Sequence, residues 1–468
     1  MAQKIVFGTD GWRAVIADDF TFENLDRVAL ATARAFRRHP RIRNGIVVGY
    51  DARFMSREFA ERVALVIAGA GVRVRLADAI ASTPMVSLAT VRLRAAAGIV
   101  ITASHNPARY NGFKIKGDFG GPAHPEMVAR VERELARVMK LKRLPPVAQS
   151  LEAPAVRRKI QRISMRESYL EEIRQKIDLA RLEQAQLRIL ADAMHGAGMG
   201  VFPALLPGVT EMRADYNPSF GGVNPEPLAK NLQGLMERVP REGFSIGIAT
   251  DGDADRVGAV DERGAFVDSH RIFSLALKYL VEDRGMTGEV AKSFSVSTMV
   301  DAQCRKYGLT LHETAVGFKH LCRLMTERDI LLAGEESGGL GVKGHIPERD
   351  GVLLGLLLCE MIAVRGKPLS ALVQDLMDEF GHHEFRRVDL HVGGREKEAI
   401  MNRFRRGLRT IGGYPVRERK DTDGVKYLVD GGWLLVRASG TEPLIRVYAE
   451  GASTEQVEAL LRDATGGR

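Results

Sequence analysis

Residues Phe244–Arg256 read FSIGIATDGDADR, an apolar run that ends abruptly in three aspartates at alternate positions. The run Phe244–Ala249 has the length and composition of a strand buried on both faces, and such strands belong to sheets covered by helices. Polar, ligand-binding residues just beyond the carboxyl end of a buried strand are where open α/β sheets place their sites. Outward from this segment the pattern recurs. Ile46–Tyr50 (IVVGY), Val72–Ala77 (VRVRLA), Ala97–Thr102 (AGIVIT), Leu187–Ala191, Glu289–Phe294 and Ile330–Ala333 read as further strands. Between them, Ser56–Ala70 and Pro84–Leu93 carry helical spacing. Strands alternating with helices predict α/β layers.

Leu144–Val156 (LPPVAQSLEAPAV) holds three prolines and little periodicity, which predicts a linker. A second boundary is expected just after Asp255–Asp261 and a third near Gly381–Glu384. Beyond it, Phe385–Val392, Tyr427–Val429, Trp433–Val436 and Ile445–Glu450 read as strands around two helices, in the style of a smaller α+β domain. The expected organisation is three similar mixed α/β domains, at residues 1–145, 155–257 and 258–375, and an α+β domain at 383–468.

Apolar residues form 45% of the 468 and charged residues 27%, the balance of a soluble globular protein rather than a disordered or fibrous one. The start, MAQKIVFGTDGW, shows no charged segment followed by an apolar signal core, and the apolar run Gly351–Cys359 (GVLLGLLLC) meets Glu360 too early to span a bilayer. No membrane partner and a cytoplasmic location are expected. Cys304, Cys322 and Cys359 lack zinc-site or redox-pair spacing, which fits a reducing compartment. Lys and Arg exceed Asp and Glu by 68 − 59 = 9. The basic residues are dispersed, as at Arg34, Arg37, Arg38 and Arg41, and two tryptophans and nine tyrosines provide little for base stacking. A small phosphorylated ligand is the expected partner, not nucleic acid.

Four loops carry the chemistry. In Asp251-Gly-Asp-Ala-Asp-Arg256, three carboxylates beyond a strand end can converge on one hard cation. Glu262 stands where a calcium EF-hand loop ends, but Arg256 occupies that loop's glycine position and the preceding segment is a strand, so an EF-hand is excluded. The plain alternative is a solvated acidic turn. Thr102-Ala-Ser-His-Asn-Pro107 puts Ser104 on a loop after AGIVIT, and Gly112-Phe-Lys114 follows. A lysine near a metal and a serine can serve as a base when its surroundings depress its pKa. Arg437-Ala-Ser-Gly-Thr-Glu-Pro443 offers backbone N–H groups, two hydroxyls and a forked cation, the donors a phosphate requires. Gly334-Glu-Glu-Ser-Gly-Gly339 offers carboxylates and a hydroxyl to a polyhydroxylated ligand. Each of the last three is, alone, also compatible with an ordinary loop. His195-Gly-Ala-Gly-Met-Gly200 lacks the third dinucleotide glycine, since Val201 stands there, and reads as a tight turn.

These motifs, in this order, resemble the α-D-phosphohexomutase superfamily of phosphoglucomutases and phosphomannomutases, from Phe7-Gly-Thr-Asp-Gly-Trp-Arg13 to Arg437–Pro443. The resemblance implies a four-domain, heart-shaped enzyme whose domains each send a loop into a central cleft. It implies that Ser104 carries a phosphoryl group and that Asp251, Asp253 and Asp255 hold Mg2+ with the Ser104 phosphate. Lys114 matches the usual general base, and Arg13, His105 and Arg256 fall among the catalytic residues. Glu335 and Ser337 match sugar contacts, Lys319 a substrate contact, and Arg437, Ser439, Gly440 and Thr441 the grip on the substrate's phosphate. The implied reaction passes through a hexose 1,6-bisphosphate, with glucose 1,6-bisphosphate as activator and intermediate, in a monomer or dimer whose last domain can rock. GEESGG with His345–Gly351 and Val316-Gly-Phe-Lys319 looks like the glucose branch, ahead of mannose and then glucosamine phosphates. The alternative of another class is a phosphoserine-dependent phosphatase, against which the second phosphate loop argues.

Overall fold

Ile46–Tyr50, buried at every residue, lies inside the first of four sheets. The computed structural model describes residues 5–438 and 444–466. The first sheet runs Trp12–Val15, Tyr110–Gly117, Ala97–Ile101, Ile46–Tyr50, Val74–Ala77, Ile160–Ile163. Its central strands are parallel, and Tyr110–Gly117 returns antiparallel beside Ala97–Ile101. This hairpin brings Lys114 back opposite Val100, close to the loop that carries Ser104. Ile160–Ile163 lies beyond the proline-rich stretch and joins the same sheet as a parallel edge strand.

The second sheet orders Phe266–Val267, Val257–Asp261, Ile246–Thr250, Ile189–Asp192 and Thr210–Met212. The strand Val257–Asp261, whose last four residues fall in the expected range 258–375, pairs antiparallel with Ile246–Thr250 in the second sheet. The physical reason is the turn between them. Ala254 adopts φ 57°, so the DGDADR loop reverses the chain tightly and the apolar run after it folds back. The third sheet comprises Leu311–Thr314, Glu289–Ser293, Ile330–Gly334 and Leu340–Val342. The fourth is antiparallel throughout, from Glu384–His391 through Leu444–Gly451, Gly432–Ala438 and Val425–Val429 to Tyr414–Lys420 and Thr410–Ile411.

One apolar cluster runs continuously through the three α/β units, from Leu25 and Val48 through Ile248 to Phe273 and Leu354. The apolar helix Gly351–Arg365 is buried along most of its length within it, which explains its lack of an amphipathic stripe. Among the described residues no helix is long and apolar enough to cross a membrane. All three cysteines are buried free thiols. The last sheet packs on Gly394–Arg405 and Thr454–Thr465 around a separate core that includes Met401, Phe404, Leu434 and Leu460.

Candidate active site

Three strand ends deliver the site. Ala97–Ile101 leads to Ser104, Ile246–Thr250 to Asp251, and Ile330–Gly334 to Glu335. Ser104 is fully buried and its backbone is left-handed, φ 53°. Its hydroxyl donates to Asp251 Oδ2 at 2.8 Å, and His105 Nδ1 lies 3.4 Å from the same Oγ. Asp251 Oδ1 accepts the backbone N–H groups of Asp255 and Arg256 at 2.9 and 3.1 Å, folding the loop around its first carboxylate. Asp251, Asp253 and Asp255 are all fully buried, with one oxygen from each within 4.8 Å of the others. Burial, with Asp253 and Asp255 beside it, pushes Asp251 well above the ordinary carboxylate range. Asp253 Oδ1 and Asp255 Oδ1 are buried without a hydrogen-bond partner. Converging oxygen donors, two of them unsatisfied, fit a hard divalent cation.

Lys114 Nζ sits 2.7 Å from Asp253 Oδ2, 3.1 Å from Asp255 Oδ2 and 3.0 Å from Asp10 Oδ2. Burial alone would lower the ammonium's pKa, but Asp10, Asp253 and Asp255 outweigh it and hold the proton above the ordinary lysine value. Asp10 also meets Arg349, at 2.6 Å, and that guanidinium continues to Asp255 Oδ2 at 2.7 Å and Glu348 Oε1 at 3.3 Å. Lys116 pairs with Glu348 Oε2 at 2.5 Å. Loops from all three α/β units therefore meet in one buried charged network.

The remaining expected residues surround it. Arg13 Nη1 donates to Asn106 Oδ1 at 2.7 Å. Burial, followed by the nearby Arg256 and Arg13, keeps His105 well below its ordinary value and therefore neutral. Arg256 Nε stands 4.0 Å from both Asp251 Oδ2 and Asp255 Oδ1, and its Nη1 faces Glu226 at 3.4 Å. Burial pushes Glu335 up to about 7 against the pull of Arg349, and its Oε1 accepts the Gly317 N–H at 2.9 Å. Ser337 follows, partly exposed, on the same loop. Lys319 lines a cavity with Thr9, Asp10 and Glu132. Arg437 Nε lies 2.8 Å from Asp423 Oδ2, which also accepts the Val316 N–H at 3.0 Å. Ser439, Gly440 and Thr441 lie outside the described residues. Glu336 accepts the Ser295 hydroxyl at 2.6 Å and the Tyr448 hydroxyl of the last domain at 3.5 Å.

The sequence reading missed Asp10, Lys116, Glu348, Arg349, Asp51 and Arg53. Asp10 lies inside the quoted FGTDGWR motif and Arg349 inside HIPERDG, but their pairing spans 339 positions and leaves no local signal. Asp51 and Arg53 had one: they follow the end of Ile46–Tyr50 as Ser104 follows Ala97–Ile101.

Four profiles described as phosphoglucomutase/phosphomannomutase match the chain in order. They are alpha/beta/alpha domain I at residues 4–142, domain II at 167–264, domain III at 268–380 and the C-terminal domain at 395–465. A phosphoglucomutase/phosphomannomutase of Thermococcus kodakarensis is 31% identical, over 97% of this chain and 96% of its own. A phosphoglucosamine mutase of Carboxydothermus hydrogenoformans is 30% identical over 97% of each. The crystal structure of a candidate phosphomannomutase from Thermus thermophilus superposes with a TM-score of 0.86 at 34% identity, covering 100% of this chain and 99% of that one.

Proposed function

Because the chain belongs to the phosphoglucomutase/phosphomannomutase family, we propose that it interconverts glucose 1-phosphate and glucose 6-phosphate through a phosphorylated Ser104. The observation that carries the chemistry is the meeting of Ser104 after one strand end, Lys114 within the adjacent strand and three buried aspartates on one loop after another strand end. Asp251, Asp253 and Asp255 hold Mg2+. When bound, the ion supplies charge neutralisation for the phosphoryl group and for the carboxylates that retain the Lys114 proton.

Lys114 must first shed its proton to solvent. As the free amine it takes the sugar hydroxyl's proton while that oxygen attacks phosphorus, the bond to Ser104 Oγ breaks, and Oγ is protonated from solvent. Arg13 and Arg256 balance charge on the moving group, with a neutral His105 beside Oγ. Glu335 and Ser337 hold the sugar hydroxyls, Lys319 a substrate oxygen, and Arg437 with Ser439, Gly440 and Thr441 the resting phosphate. The product of the first transfer, glucose 1,6-bisphosphate, turns over and returns its other phosphoryl group to Ser104. The same reading makes the protein a cytoplasmic monomer or dimer.

A second reading has mannose or glucosamine phosphates as substrate. It is favoured by the names of similar relatives, which include phosphoglucosamine mutases.

The deciding experiment offers glucose, mannose and glucosamine 1-phosphates with magnesium and a trace of the matching bisphosphate, beside a Ser104→Ala control. Conversion of the glucose ester fastest, and its loss in the control and on chelation, supports the proposal. A faster rival ester moves the substrate, and inorganic phosphate in place of isomer replaces the mutase with a phosphatase.

A further inference from the structure

Arg53 has no part in the chemistry above. Its side chain is fully buried, and its guanidinium donates to the backbone carbonyls of Ser104 and Asn106 at 2.6 Å, Pro107 at 2.9 Å and Tyr110 at 3.0 Å. All four oxygens belong to the segment that carries Ser104. Asp51 faces the Nε edge at 3.3 Å. Its carboxylate also accepts the Thr102 hydroxyl at 2.5 Å, and Thr102 Oγ1 accepts the Ser104 N–H at 2.8 Å. Ser104 is thus held at both its carbonyl and its N–H by one buried ion pair.

The conformation being held is one that L-residues avoid. Ser104 lies at φ 53°, where its Cβ crowds the following peptide. Its carbonyl presses on Gly252 of the aspartate loop, where a Cβ would come within 2.4 Å of that oxygen. A planar fork of five donors can engage several carbonyls at once, whereas an ammonium cannot match that spread. Phe220, from the second α/β unit, closes the arrangement. Its buried ring lies 4.9 Å from the Arg53 Cζ, and its own φ is 53°, a conformation unusual for an aromatic residue.

We propose that Arg53, capped by Phe220, is a positioning residue for phosphoryl transfer, fixing the backbone of the Ser104 loop so that the serine hydroxyl meets the aspartates in line. The inference rests on the mutase reading. Arg53→Lys keeps the charge and loses the fork. Wild type and variant are phosphorylated with glucose 1,6-bisphosphate, and the phosphoserine content is read by intact mass. Turnover of the hexose ester that wild type accepts is then expressed per phosphorylated Ser104.

The expected result is a kcat about 10²-fold lower per phosphoserine, with KM within about threefold of wild type and a displaced phosphoserine 31P resonance. A folded variant that accepts no phosphoryl group is the extreme of the same loss. Unchanged kcat per phosphoserine overturns the proposal. So does a loss that merely tracks the unfolded fraction, because the correctly folded remainder then works normally. Should Arg53→Lys not fold, Phe220→Leu decides. It keeps the four hydrogen bonds, and a fall in kcat per phosphoserine of about tenfold is expected, with no fall overturning the proposal. Wild type that isomerises no hexose ester sinks the mutase reading itself, and the positioning role falls with it.

Discussion

The region around Ser104 and the junction with the last domain are both buried and both charged, but they are built in opposite ways. Around Ser104, three α/β units share one apolar cluster and the charges are densely matched. Lys114 faces three carboxylates, and Arg349 reaches Asp10, Asp255, Glu348 and, at 3.9 Å, Glu335. At the junction the last domain keeps its own core and docks through Phe294, Trp433, Leu435 and Tyr448. Its polar anchors include Tyr448 to Glu336, Lys420 to Glu313 and Arg271 to Glu384. Glu450 Oε1 collects the Thr298 N–H and hydroxyl, the Trp433 indole N–H at 2.9 Å and His383 at 3.1 Å, while Oε2 has no partner. Lys426 is buried over the Trp433 ring at 4.1 Å, donating to the Phe294 carbonyl. The serine and aspartate loops are set into a shared body, whereas the domain bearing Arg437 keeps a separate core and is attached across a seam. That division suits a reaction in which the phosphoryl donor stays fixed and the far phosphate must be gripped and released.

The comparison can be broken at either end. Ser104→Ala should have the largest effect, a loss of kcat on the order of 10⁴-fold or more, with the melting profile retained. Measurable turnover near the wild-type rate would remove the fixed half from the chemistry. Trp433→Ala should cost about 3–5 kcal/mol at the seam and split calorimetric unfolding, with the last domain melting first. One transition lowered as a whole would mean that the two regions are a single cooperative body.

A smaller effect concerns pH. Burial, with Lys292 adding to it, pulls Lys426 down to about 7, so between about pH 7 and the ordinary lysine value of 10.5 the unfolded chain binds more protons than the folded one. Relative to Lys426→Met, wild-type stability should therefore rise with pH across that window, by at most about 1.4 kcal/mol per pH unit. His383, which burial would lower but Glu450 holds above its ordinary value, contributes the opposite slope and cancels in the difference. Equal pH slopes in denaturant titrations of the two proteins would contradict the buried neutral lysine. The smallest effect is expected from Asp423→Ala, which removes the acceptor of the Val316 N–H and the partner of Arg437. About 1 kcal/mol is at stake, and KM for the hexose phosphate should rise severalfold with kcat kept.

How much of this could be read beforehand depended on whether the signal was local. Ile46–Tyr50, Ile246–Thr250 and Ile330–Gly334 are buried at every position and show as uninterrupted apolar runs. Ile160–Ile163 is an edge strand with two exposed positions, and IQRI carries no such mark. Ser104 and the aspartates were legible because their loops follow strand ends and concentrate unusual residues, and Lys114 because its strand Tyr110–Gly117 follows the serine loop directly. Arg349 and Lys116 were not, since a lone arginine or lysine looks the same whether it meets water or a partner hundreds of positions away. The branch reading of GEESGG rests on residue identity alone, and the sequence does not show that Glu336 meets Ser295 and Tyr448.

The ion pair between Asp10 and Arg349 sets a timetable for the protein's own manufacture. Its halves are 339 positions apart, and Lys114 must wait 139 positions for Asp253. At a synthesis rate of about 5–20 residues per second, Lys114 follows Asp10 but precedes Asp253 by roughly 7–28 s, and Asp10 precedes Arg349 by up to about a minute. The first unit therefore emerges from the ribosome with Lys114 and Lys116 sharing Asp10 and without the later aspartates and Glu348 that complete their pairing. A chain halted before residue 349 is left with an incomplete charged centre, and the active site is among the last features of the nascent protein to exist.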